Sequence, residues 1–98
     1  MTNLLRLTVL LVEDSEDDAL IVRRAFKILN IGHELVVVGT GEDAMRRLEV
    51  ASGRPDLVLL DLNLPGMSGL ELLRRIKNHP KLRTVPVTVL SAAIGTGM

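Results

Sequence analysis

The chain has 98 residues, 47% of them hydrophobic and 24% charged, with 12 basic and 12 acidic side chains and so no formal net charge. Those values fit one globular domain, residues 1–98, with a single core, and leave no bulk field to favour nucleic acid or an anionic membrane. The absence of cysteine excludes disulfides, thiolate catalysis and zinc–thiolate sites, and the lone aromatic residue, Phe26, argues against base-stacking modules.

The opening stretch MTNLLRLTVLLVED has too short an apolar run to span a bilayer and no small-residue cleavage site. A cytoplasmic, membrane-free protein is the expectation. Leu7 to Val12 is a continuous apolar run, the pattern of a strand buried on both faces. Glu13 and Asp14 close it, and Ser15 can cap a following helix whose first turn holds Asp17 and Asp18. Ala19, Val22, Phe26 and Leu29 recur at helical spacing, with Gly32 as the predicted stop. His33 to Val38 is a second short strand. Gly39-Thr40-Gly41 then turns the chain; it lacks the further residues of a phosphate loop. Glu42 to Ala51 reads as a helix with Ala44 and Leu48 inward.

Pro55 introduces a third strand, Asp56 to Leu60, with Asp61 at its tip. After the Leu64–Gly69 loop, Leu70, Leu73 and Ile76 mark one helical face, ended by Asn78-His79-Pro80. Val85 to Leu90 forms a fourth strand, closed by Ser91-Ala92-Ala93. The order βαβαβαβ, with apolar strands and short loops, predicts an α/β fold on a parallel sheet with right-handed crossovers. His33 and His79 have no ligand partners at useful spacing. Met45 and Met67 read as packing or loop residues, and the Arg23-Arg24, Arg46-Arg47 and Arg74-Arg75 pairs as solvated helix faces.

In open parallel sheets ligands bind beyond the carboxyl ends of the strands, where strand order reverses. Polar residues stand at three such ends here: Glu13-Asp14, Asp61-Leu62-Asn63 and Ser91. If the first and third strands are neighbours, the three acids converge. Two unit charges about 4 Å apart repel by roughly 4 kcal/mol at an effective dielectric near 20, so the cluster calls for a cation or a shared proton. Hard oxygen ligands suit Mg²⁺. A metal beside a strand-end aspartate suggests phosphoryl transfer onto that carboxylate, with the Ser91 hydroxyl in reach of a phosphoryl oxygen.

The stretches LLVEDSEDDA, PDLVLLDLNLPGMSGLELLRRIK and VPVTVLSAA, in that order between Leu7 and Ala93, resemble the receiver domain of two-component response regulators. The resemblance implies a flavodoxin-like sheet of strand order 2-1-3-4 with helices on both faces. It implies that Asp61 accepts a phosphoryl group from a sensor histidine kinase. Glu13, Asp14, Asp61 and the Asn63 backbone carbonyl would serve Mg²⁺, and Ser91 would be the switch hydroxyl. The acidic opening VEDSEDDA looks most like small stand-alone receivers, some of which serve phytochrome-type kinases. In the family a fifth strand follows, carrying a lysine and flanked by helices. Here Ile94 to Met98 is all that follows, and the last lysine is Lys81.

The expectation for a receiver truncated at that point is an impaired relay and an uncovered fourth-strand edge bearing Val85, Val87, Val89 and Leu90. Such an edge invites a second copy, and a homodimer is predicted. The leading functional reading is thus a phosphoacceptor, able at most to lose its own phosphoryl group and not an enzyme for external substrates. One alternative is a never-phosphorylated dimerisation module of the same fold. A distant one is a haloacid-dehalogenase-type phosphohydrolase, but that family has an acid two positions after its nucleophile, where this chain has Asn63.

Overall fold

Four short apolar runs form the strands, the pattern of a parallel sheet covered on both faces. The computed structural model describes residues 6–50 and 54–90, which form β1 (Thr8–Val12), α1 (Glu16–Ile28), β2 (Glu34–Val38), α2 (Gly41–Glu49), β3 (Leu57–Asp61), α3 (Gly69–Asn78) and β4 (Val87–Leu90). The strands pair in parallel in the order β2-β1-β3-β4, the order expected. The fourth strand is shorter than predicted. Pro86 has no N–H to give a ladder, and Val85 belongs to the turn before it, donating its N–H to Leu82 O.

Each helix opens on a side-chain cap that satisfies an otherwise unpartnered N–H. Ser15 accepts from Asp18 N, Thr40 from Asp43 N and Ser68 from Glu71 N. Asp17 and Asp18 are first-turn residues, as read from the sequence. The end of α1 differs from expectation. Asn30, not Gly32, takes the left-handed conformation, at φ 57°, and Asn30 N and Ile31 N fold back onto Lys27 O and Phe26 O.

One face of the sheet carries the main core. Leu10, Val12, Val58 and Leu60 meet Ala44 and Leu48 of α2, Leu72 and Ile76 of α3, and Leu82 and Val85. Ala44 and Leu48 are fully buried, as predicted. Of the predicted face of α3, Ile76 is fully buried and Leu73 packs against the core, whereas Leu70 is 56% exposed and Leu72 is buried instead, a phase set by the helix start at Gly69. On the opposite face α1 lies beside Val37 and Leu35 of β2, and Val9, Leu11 and Ala19 are buried there. Leu29, predicted inward, is 68% exposed, since α1 has already ended at Ile28. No helix among the described residues is long and apolar enough to cross a membrane.

Candidate functional site

Register places the acids. Val12 pairs with Leu60 across β1 and β3, so the next residue on each strand, Glu13 and Asp61, stands at the same level. Both follow a residue of the α2/α3 core and, by strand alternation, turn to the α1 side. Glu13 N donates to Val38 O at 2.9 Å, which extends the ladder one residue and holds the turn in place. Strand β1 sits between β2 and β3, and the chain crosses from one side of it to the other after β2. This is the switch point at which such sheets bind ligands.

Carboxylate oxygens of Glu13, Asp14 and Asp61 lie within 4.8 Å of one another. The surrounding cleft is lined by Ser15, Asp18, Ile21, Val22, Asn63 and Leu90. Among the described residues the three carboxylates accept two hydrogen bonds. Glu13 Oε2 accepts from Ser15 N at 3.1 Å, and Asp61 Oδ1 accepts from Asn63 N at 3.1 Å. Glu13 is buried, and its pKa stands above the ordinary value of 4.5. Burial is the main cause; the charges of Asp61, Asp18 and Asp14 push the same way, while the Ser15 N–H opposes them. Three hard oxygen donors, one buried, one half-buried and one exposed, fit a small divalent cation with open positions for water or a phosphoryl oxygen.

The structure therefore brings Glu13, Asp14 and Asp61 together, with Asn63 on the rim. Ser91 lies outside the described residues, as does the segment after it. Gly39-Thr40-Gly41 is a turn and helix cap. The two histidines are less idle than the sequence suggested: His33 Nδ1 accepts from Leu7 N and His79 Nδ1 from Lys81 N. Met45 and Met67 pack against the main core.

Two residues escaped the sequence reading. Gly69 sits so close to the site strand that a Cβ there would overlap Asp61 O and Leu62 Cα; glycine at a helix start after a tight loop was the available signal. Glu42 accepts from Met67 N at 3.3 Å. Nothing local announces that bond, because its partners are 25 positions apart.

A model of the family described as the response regulator receiver domain matches residues 9–97. Response regulator Rcp1 of Synechocystis sp. is 43% identical over 90 residues, covering 87% of this chain and 61% of that protein. The chain thus spans less than two thirds of that relative's length. Among solved structures, the phosphorylated cyanobacterial phytochrome response regulator RcpA superposes with a TM-score of 0.83 at 40% identity, covering 92% of this chain and 68% of that one. The Mn²⁺-bound form of Rcp1 superposes with a TM-score of 0.79 at 43% identity, covering 87% of this chain and 65% of that one.

Proposed function

The chain belongs to the response regulator receiver domain family, and from that premise we propose that it takes a phosphoryl group from a sensor histidine kinase onto Asp61, with Mg²⁺ held by Glu13, Asp14, Asp61 and the Asn63 backbone carbonyl. The observation that carries the reading is the convergence of three carboxylates at the neighbouring carboxyl ends of β1 and β3, within 4.8 Å. In the transfer a carboxylate oxygen of Asp61 attacks phosphorus, the P–O bond forms, and the bond from phosphorus to the donor nitrogen breaks. The product is an acyl phosphate.

A bound divalent cation would neutralise charge on the phosphoryl oxygens and offset the repulsion of three acids. The protein's own part is positional. Asn63 N–H holds one Asp61 oxygen at 3.1 Å and so leaves the other for attack, while Ile21, Val22 and Leu90 line the apolar side of the cleft. Ser91 is proposed as the hydroxyl that answers phosphorylation. Likeness to phosphorylated RcpA and Mn²⁺-bound Rcp1 supports both halves of the reading, and favours a phytochrome-type kinase as donor. The activity is that of a cytoplasmic signalling acceptor, limited to loss of its own phosphoryl group.

The test is intact mass after incubation with a small phosphodonor and Mg²⁺. A phosphoryl adduct on the wild type and none on Asp61→Asn is expected; an adduct on both, or on neither, would overturn the assignment. A homodimer through β4 is the remaining part of the proposal. Among the described residues β4 pairs only with β3, and Val89 within β4 is exposed. Light scattering at micromolar concentration should give twice the chain mass, and a monomer would remove this part alone.

A further inference from the structure

The loop between Asp61 and α3 carries Asn63, and its grip on the rest of the protein is uneven. At its far end Gly69 N donates to Leu62 O at 3.1 Å, which closes the loop upon itself. Among the described residues, one hydrogen bond ties positions 64–67 to another element, and it is the bond from Met67 N to Glu42 Oε2 at 3.3 Å. Glu42 lies in the first turn of α2.

Two glycines make room for that contact. Gly66 has φ +68°, and a Cβ built on it would stand 3.2 Å from Glu42 Oε2. A side chain there would meet both backbone strain and the carboxylate. A Cβ on Gly41 would stand 3.1 Å from Met67 Cβ and Sδ, so the absence of a side chain on α2 lets Met67 seat against the core. Carboxylate, bare backbone and thioether thus form a clasp between α2 and the loop that follows the phosphoacceptor strand.

We propose that Glu42 is a positioning residue for the Asp61 site, holding the loop so that Asn63 stays in the lining of the acidic cleft. The inference rests on the function proposed above. Glu42 touches neither the three acids nor the reacting atoms. It acts through Met67, and its removal loosens the loop without exposing the core.

The experiment titrates Mn²⁺ into the intact protein by calorimetry, with the amide exchange of Met67 followed by NMR and the metal-free unfolding midpoint measured beside them. Glu42→Ala should weaken Mn²⁺ binding by about three-fold to ten-fold, the range one hydrogen bond of this kind spans. It should also speed exchange at Met67 N–H and leave the midpoint nearly unchanged. Glu42→Gln keeps an acceptor oxygen without the charge and should bind as the wild type does. Gly66→Ala disrupts the same contact from the loop side and should weaken binding as Glu42→Ala does. Unchanged affinity in Glu42→Ala overturns the clasp while the metal site stands. A Glu42→Gln variant as weak as Glu42→Ala also overturns it, since the effect would then be a charge acting through space. A wild type that binds no Mn²⁺ removes the proposed function and the clasp together, and is told apart because the failure appears before any substitution.

Discussion

Two aspartates bracket strand β3, and the fold treats them in opposite ways. At the amino end Asp56 Oδ2 accepts from Thr8 N at 2.8 Å, and Asp56 N donates to Thr8 O at 2.8 Å. That pair of bonds pins β1 to β3 and sets the register of the sheet. At the carboxyl end Asp61 receives, among the described residues, one N–H, from Asn63, and faces Glu13 and Asp14. The amino end uses its carboxylate as a structural acceptor. The carboxyl end gathers three acids that receive two N–H donors among the described residues.

The comparison breaks most sharply at Asp61. Asp61→Asn keeps shape and removes the charge, so the phosphoryl adduct in the mass assay should vanish entirely. The same change relieves repulsion within the cluster, and the metal-free protein should gain on the order of 1 kcal/mol by denaturant melts. A loss of stability in that variant would contradict the view that the acids strain the fold.

Gly69 comes next. Its missing side chain lets α3 start against the Asp61 carbonyl, and Gly69→Ala must move backbone, not the tip of a flexible chain. Overpacking of that kind costs roughly 3 kcal/mol, seen as a lower denaturation midpoint, and it should reduce metal affinity as well because the displaced atoms belong to Asp61 and Leu62. At the other end, Asp56→Ala should cost about 1–2 kcal/mol through one lost charge-assisted bond, with metal affinity unchanged. Equal effects of the two aspartates on metal binding would erase the distinction between the ends of β3.

Much of this architecture is legible in the sequence, and for a physical reason. Strands of a parallel sheet covered on both faces are nearly uniform in apolar character, so Val9 to Val12 and Leu57 to Leu60 stand out, and the acids at their ends with them. Helix phase is harder to read. Leu70, Leu72 and Leu73 are chemically identical, and the choice of Leu72 as the buried one follows from where Ser68 and Gly69 start the helix. The stop of α1 at Asn30 was hidden by a glycine two positions later. Register-dependent bonds are least legible of all. Asp56 to Thr8 spans 48 positions and Glu42 to Met67 spans 25, and neither pairing exists until the sheet and the helices have been assembled.

The smallest effect is the most diagnostic of the charged end. The raised pKa of Glu13 means that the folded protein binds its proton more tightly than the unfolded chain does. Metal-free stability from this group is therefore fully present below pH 4.5, the ordinary value, and is lost as pH rises through the raised folded value. Glu13→Gln should flatten that slope. A cation needs the ionised carboxylate, so Mg²⁺ should raise the unfolding midpoint at neutral pH and progressively less as Glu13 takes up its proton. Thermal melts with and without Mg²⁺ across that window measure both slopes on one sample. If the metal-free slope rose with pH where Glu13 titrates, or if Glu13→Gln kept the full Mg²⁺ response, Glu13 would belong with Asp56, as an acceptor serving the fold, and the contrast between the two ends of the sheet would rest on Asp14 and Asp61 alone.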